Sequence, residues 1–276
     1  MRTATILLLA SCSYYRTVGN DVDAPPPDAA PPIDAAIGTC ASSCGAPNSQ
    51  TVCVQGYVCD FTDPSRRIAP AEAQALRVRI YDPIALATNP TIPAVATVTI
   101  DADGCFVADG IQRFPSGLIS WTVDDAGPDD RYSPLAGGAA ALANQNVLGV
   151  KAYAVLRTTV ADWQTEVGTV AGCASLEACG IWIGEYVDRS GLPVAGVTPT
   201  RPGDNPLPAN TFCFRGDRFH LSTEDTTDGT GLCAISPDSV EGHAGMCVGA
   251  GCTGTWSAIP SGVAPGLIML QRFVAQ

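Results

Sequence analysis

The sequence predicts an all-β protein, and three observations carry that prediction. Short runs of alternating apolar and polar residues recur along the chain, turn formers separate them, and charge is scarce. Gly and Pro number 28 and 22 among 276 residues, and only 15% of residues are charged, against roughly 25% in a typical soluble domain. Such a composition favours short strands between turns over long charged helices. The balance of 15 Lys and Arg against 27 Asp and Glu gives a formal charge of −12, which excludes nucleic-acid binding by electrostatics, because phosphate contacts need clustered basic groups. Lys151 is the one lysine in the chain.

Each element follows from local pattern. Leu76-Arg77-Val78-Arg79-Ile80 alternates as a half-buried strand does. Similar signals span Val95 to Ile100, Cys105 to Ala108, Leu118 to Val123, Val150 to Val155, Ile181 to Val187, Arg218 to Leu221 and Leu267 to Val274. Between them lie Asp101-Ala102-Asp103-Gly104, Phe114-Pro115-Ser116-Gly117, Asp228-Gly229-Thr230-Gly231 and Ala264-Pro265-Gly266. These are turn formers, through Gly at positive φ and Pro at fixed φ. Many short strands at this spacing predict β-sandwiches. Helical character is confined to Thr158 to Val170 and Pro134 to Gln145.

The first twelve residues hold one positive side chain, Arg2, and an apolar run from Ile6 to Ala10, the layout of a secretory signal too short to cross a bilayer as a helix. Its end, Leu9-Ala10-Ser11-Cys12, resembles the lipobox of bacterial lipoproteins. That resemblance implies acylation of Cys12, which becomes the mature N-terminus, and Ser13 after it implies outer-membrane sorting. An ordinary cleaved signal is the alternative. Residues 13–38 form a tether. From Val18 to Gly38 they carry five prolines, several Asp and Ala, and no aromatic residue. Such a segment cannot bury enough apolar surface to order itself, and with polyproline II character it reaches on the order of 60 Å.

Cys40, Cys44, Cys53 and Cys59 then fall within twenty residues. In an exported chain this predicts a disulfide-rich module, residues 39–63, stapled by two bridges in any of three pairings. Zinc is the competing reading, disfavoured by the lack of CxxC spacing. Further on, Cys173 with Cys179, Cys213 with Cys233 and Cys247 with Cys252 are placed for local bridges. With Cys12 acylated one thiol is left over. Cys105, beside Phe106, is expected to be that thiol, buried as a small hydrophobe or bridged to another molecule.

Pro193-Val194-Ala195-Gly196-Val197, followed some thirty residues later by Thr227-Asp228-Gly229-Thr230-Gly231-Leu232, resembles the carboxypeptidase regulatory-like domain, a transthyretin-like sandwich. Val98 to Phe106, with Phe114 to Trp121 behind it, is similar to the same turn and following strand. The resemblance implies transthyretin-like β-sandwiches acting in display or binding and not in chemistry. The length after the cysteine module suits two such domains, at residues 72–165 and 172–276, and immunoglobulin-like sandwiches are the alternative, because turn motifs are short.

Candidates for chemistry are few. His220 and His243 are the two histidines, with Ser222 and Ser261 nearby, but no G-x-S-x-G elbow or HExxH pairing accompanies them. Strand alternation places His220 on a solvated face. Three acidic loops offer calcium ligands: Asp101 with Asp103, Asp124-Asp125 with Asp129-Asp130, and Glu224-Asp225 with Asp228. None matches the EF-hand pattern, and solvated turn acids are the plainer account. Trp121, Trp163, Trp182 and Trp256 are core candidates, Trp182 being the one placed to stack on sugar. Arg215-Gly216-Asp217 spells an integrin-type tripeptide, read here as coincidence. The expectation is a lipid-anchored envelope protein, non-catalytic, without metal or cofactor, binding a membrane through its lipid and an unidentified envelope ligand. A calcium-dependent adhesin, a carbohydrate-binding protein and a secreted hydrolase are the alternatives.

Overall fold

The protein is described by a computed structural model that covers residues 40, 43–68, 75–89, 91–127, 129–201, 205–206, 210–236, 241–248, 252–261 and 263–276. The lipobox with Cys12 and the tether at 13–38 lie outside the described residues. The first half runs β1 (Thr51–Asp60), β2 (Leu76–Tyr81), α1 (Pro83–Thr88), β3 (Ala96–Thr99), β4 (Cys105–Gln112), β5 (Leu118–Asp125), β6 (Tyr132–Ser133), β7 (Leu135–Ala140) and β8 (Val147–Leu156). Helices α2 (Arg157–Val167) and α3 (Leu176–Cys179) follow. The second half holds β9 (Ile181–Val187), β10 (Val197–Arg201), β11 (Asn205–Pro206), β12 (Thr211–Phe214), β13 (Leu221–Ser222), β14 (Leu232–Ile235), β15 (Glu241–Cys247), β16 (Trp256–Ser261) and β17 (Ile268–Val274).

One nine-stranded sheet, in the order β13-β12-β14-β9-β17-β7-β5-β2-β3, passes through both halves. Two four-stranded sheets, β4-β1-β8-β6 and β11-β10-β15-β16, complete the architecture. Val54, Val58, Val150 and Ala152 of the first small sheet meet Val78, Ile80, Trp121 and Val123 of the large one in an apolar core. In the second half Trp182, Tyr186 and Phe273 meet Val197 and Trp256.

A third core joins the halves. Phe61, Tyr153, Val160 and Trp163 from the first half and α2 pack with Ile183, Phe212, Phe214 and Leu232. Trp163 is fully buried, and at about 25 cal/mol per Å² its ring contributes about 4–6 kcal/mol of transfer free energy. Helix α2 has no side-chain N-cap, so tertiary packing of Val160 and Trp163 holds it. Its C-cap, Gly168, has φ 71°. Helix α1 is locally encoded: Asp82 caps it by accepting from Ile84 N, and Pro83 stands at its first position.

Three expectations need correction. Pro134 to Gln145 contains a strand, β7, not a helix. Its Gly137 faces Trp121, whose indole Nε1 would lie 2.9 Å from any added Cβ, so the small residues make room for a ring across the sheet. Arg218 to His220 belong to a loop, and only Leu221–Ser222 pair as a strand.

The third correction concerns cysteines. Cys44 bridges Cys53, but Cys40 bridges Cys105, and Cys59 keeps a buried thiol. The cysteine-rich segment supplies β1, antiparallel to β4 and parallel to β8. Tyr57 opposes Cys105 in that register, and Cys40 Sγ lies 3.4 Å from Gly56 O, which brings the two sulfurs together. Cys59 points into the junction core, walled by the second half. Further bridges close Cys173–Cys179, Cys213–Cys233 and Cys247–Cys252.

Candidate functional site

The two motifs quoted from the second half meet in space. Thr227 Oγ1 donates to Val194 O at 2.8 Å and accepts from Val197 N at 2.9 Å. Gly196 N donates to Thr227 O and Thr227 N to Val197 O, both at 2.8 Å. Asp228 then builds the turn, its Oδ1 accepting from Thr230 N at 2.8 Å while Gly231 N donates to Asp228 O. The first half repeats the device. Asp101 Oδ1 accepts from Asp103 N and Cys105 N, both at 2.9 Å, and Gly104 N donates to Asp101 O. Gly104 and Gly231 have φ of 75° and 67°. A Cβ at Gly104 would stand 2.7 Å from Ile68 O, and one at Gly231 2.6 Å from Tyr186 O.

This geometry accounts for the acidic loops. Asp125 accepts from Gly127 N and Arg131 N, Asp124 pairs with Arg79 at 2.9 Å and Asp130 with Arg157 at 2.9 Å. Glu224 pairs with Arg215, and Asp228 Oδ2 accepts from Gly216 N. The oxygens of Asp101, Asp124, Asp125, Asp130, Glu224 and Asp228 thus serve loop amides and guanidiniums. Among the described residues no group of three or more His, Cys, Asp or Glu is placed to hold a metal ion.

The loop between β12 and β13 carries a set of polar contacts. Asp217 Oδ1 accepts from Phe219 N at 2.8 Å and His220 N at 3.0 Å, and lies 3.0 Å from His220 Nδ1. His220 is exposed and lies 4.0 Å from Glu166 of α2. Hydrogen bonding to Asp217 and its charge raise the His220 pKa above the ordinary value. Glu166 Oε2 accepts from Leu221 N at 2.7 Å, and Trp163 Nε1 donates to Phe219 O at 2.9 Å. The loop is thereby clasped to α2. Ser222 Oγ accepts from Arg215 Nε and Glu224 N, each at 3.2 Å, so Ser222 and His220 have separate partners. In Arg215-Gly216-Asp217 both charged side chains are turned to intramolecular contacts. Ser261 lies on β16, opposite Glu241 in the strand register.

Sequence reasoning missed Arg218. Its guanidinium reaches into the junction, pairs with Glu185 of β9 at 2.5 Å, and lies 5.4 and 5.5 Å from the Phe61 and Tyr153 ring centroids. Arg272 of β17 pairs with the same carboxylate at 3.0 Å. Burial pushes the Glu185 carboxyl up, but the charges of Arg218, Arg272 and Lys151 outweigh it and leave its pKa below the ordinary value. Within the turn Asp217-Arg218-Phe219 nothing in the sequence signals an inward course for Arg218.

The four tryptophans are all buried, Trp182 included. Strand β9 is covered on both faces. Ile181 and Ile183 face the junction core while Trp182 faces the second-half core. There Trp182 stacks on the buried His243, ring centroids 4.2 Å apart. The expected sugar-stacking role of Trp182 is therefore withdrawn.

No family model and no curated protein matches the chain. Among solved structures, the Bacillus anthracis TIE protein is 10% identical with a TM-score of 0.28, over 82% of this chain and 34% of its own. A shaft pilin SpaA from Lactobacillus rhamnosus GG is 12% identical with a TM-score of 0.22, over 82% and 98%. The minor pilin GBS52 of Streptococcus agalactiae is 10% identical with a TM-score of 0.22, over 82% and 96%. The chain thus spans about a third of the TIE protein, and its β-sandwich architecture stands on the sheets described above.

Proposed function

We propose that this protein is a lipid-anchored module of the cell envelope that displays a rigid, non-catalytic body for structural or adhesive duty. The observation that carries this reading is the set of five disulfides among the described residues, since such bonds persist in oxidising, extracytoplasmic compartments. Those five bonds take ten of the 12 cysteines, and Cys59 is sealed in the junction core at 0% exposure. The Cys12 sulfur is left for the acyl chain, at the end of the segment that resembles a lipobox, with Ser13 directing outer-membrane sorting. The paired D-x-x-G turns and the Thr227 clasp support a carboxypeptidase regulatory-like, transthyretin-like ancestry for the sandwich. The unidentified envelope ligand then meets the loops of the body. The non-catalytic reading rests on the engagement of His220, Ser222 and the loop acids in turns and ion pairs.

Phase separation in a cloud-point detergent tests the anchor. The protein expressed with its leader partitions into the detergent phase, and Cys12→Ala moves it to the aqueous phase. Unchanged partitioning of the variant overturns the lipid anchor.

A further inference from the structure

The N-terminal end of the fold is attached twice. Cys40 precedes every described strand, yet it is bonded to Cys105, the first residue of β4, across a sequence separation of 65. Between them lie β1, β2, α1 and β3. Tension arriving from the N-terminal side of Cys40 meets a covalent branch: one path follows the chain through Ala41 into β1, the other crosses the sulfurs into β4. A covalent bridge does not extend under forces that separate strands, so the second path is the shorter and carries the load.

The other end of the load path is β17, which carries the last described strand residues. β17 is parallel to β9 over seven residue pairs, from Ile268 opposite Ile181 to Val274 opposite Val187, and parallel to β7 at Leu135 and Ala136. Strand β4 runs from Cys105 to Gln112, and its far end meets the far end of β7: Arg113 Nη1 donates to Ala141 O at 2.9 Å and Ala141 N to Gly117 O at 2.7 Å, so β4 and β7 run in the same direction. β17 follows the direction of β7, so Val274 and Cys105 lie at opposite ends of the strand direction. A pull between the chain ends therefore acts along the strands, and the hydrogen bonds holding β17 to β9 are loaded together instead of one after another.

We infer that the Cys40–Cys105 disulfide is the point at which tension enters the fold, so that a pull between the chain ends bypasses residues 41–104 and falls on β4 and β17. The segment containing β1, β2 and β3 is then shielded from extension even after the remainder has opened. The claim goes beyond the envelope reading and does not depend on the lipid or on any ligand, since it concerns only force applied at the two ends.

Single-molecule force spectroscopy on the full chain, held through handles at both ends, tests it. The bypassed length is the separation of 65 residues less the nine that Cys44–Cys53 still closes, which is about 56 residues or about 200 Å of extended chain. Cys40→Ser/Cys105→Ser lengthens the total unfolding extension by about 200 Å relative to wild type, both without reductant. Equal extensions overturn the inference. The wild-type chain supplies a second readout that does not require the variant to fold. Once it is unfolded and held at constant force, adding a thiol reductant releases a step of about 200 Å, well separated from the roughly 70 Å expected of the Cys213–Cys233 loop, whose separation is 20. Absence of the long step shows that the load reaches β1 by another route, and the inference fails.

Discussion

The two halves share a sheet but are held together differently. The first half closes over an aliphatic core, with Val54, Val58, Val78, Val123 and Val150 around a single tryptophan, and carries a disulfide that spans 65 residues. The second half closes over rings: Tyr186 stacks on Phe273 with centroids 5.0 Å apart, Trp256 meets Tyr186 edge-on, and Trp182 lies on His243. Its disulfides span 6, 20 and 5 residues. The difference teaches where crosslinks matter. Strand β1 must cross far in sequence to reach β4 and β8, with loop closure opposing it, and a covalent tie relieves that cost. The second half also pairs distant strands, β9 with β17 and β10 with β15, and there aromatic burial stabilises the pairing without a long bridge.

The junction decides whether these halves behave as one body. Trp163 sits there at ring distances of 5.6 Å from Phe61 and 5.3 Å from Phe214. Trp163→Ala removes that packing and the bond to Phe219 O, a cost of about 3–5 kcal/mol. Differential scanning calorimetry should then resolve two transitions where wild type shows one. Trp121→Ala, within the first-half core, should cost a similar amount but lower the transition without splitting it. A single transition in Trp163→Ala would mean that the continuous sheet, through β17, couples the halves on its own.

Crosslinks give the next effect. In the chain-entropy account, stabilisation grows with the loop closed. Cys40→Ser/Cys105→Ser should cost about 4 kcal/mol, Cys213→Ser/Cys233→Ser about 3 kcal/mol, and Cys247→Ser/Cys252→Ser about 2 kcal/mol, read from denaturant midpoints at constant slope. Reversal of the first two would show that the aromatic half depends on its staple more than the aliphatic half does.

Much of this architecture was legible beforehand, and the failures share a cause. Alternation in Leu76-Arg77-Val78-Arg79-Ile80 marked β2 because that strand pairs near the sheet edge, beside β3. The same logic misplaced Trp182, because β9 is central and buried on both faces, where alternation separates two cores instead of core from water. The Ala-rich run from Pro134 to Gln145 suggests helix, whereas its Gly137 makes room for the Trp121 ring opposite it in the β5–β7 register, a contact that no local pattern carries. The cysteine pairings failed likewise. Proximity in sequence grouped Cys40, Cys44, Cys53 and Cys59, whereas the β1–β4 register selects Cys105 for Cys40. For the site, turn acids and the two histidines were visible, but the inward course of Arg218 depends on a loop whose path only tertiary contacts set.

The two D-x-x-G turns allow a finer comparison. Both glycines combine positive φ with a carbonyl inside van der Waals distance of any Cβ, so Gly104→Ala and Gly231→Ala should each cost about 1–3 kcal/mol. Gly110 has φ 69° and open space around it, and Gly110→Ala should cost about 1 kcal/mol, the backbone strain alone. Equal losses at all three positions would mean that the neighbouring carbonyl yields, and that only backbone handedness is under constraint.

The smallest effect concerns the clasp between the halves at His220. Its folded pKa is raised by Asp217, above an unfolded value near 6.5. A group whose pKa rises on folding adds stability that is fully present below the unfolded value and is lost as pH climbs through the folded one. The loop should therefore loosen slightly from about pH 6.5 upward, the window set by the direction of that shift. His220 is exposed and screened by solvent, so the change belongs in a local probe and not in the melting curve. Titration of the His220 ring protons by NMR should give a midpoint above 6.5 that falls in Asp217→Asn. Glu166→Gln should lower it less, because Glu166 acts only across 4.0 Å. If Glu166→Gln moves the midpoint more than Asp217→Asn does, the histidine answers mainly to α2, and the loop is clasped across the junction by charge as well as by the Trp163 and Leu221 hydrogen bonds.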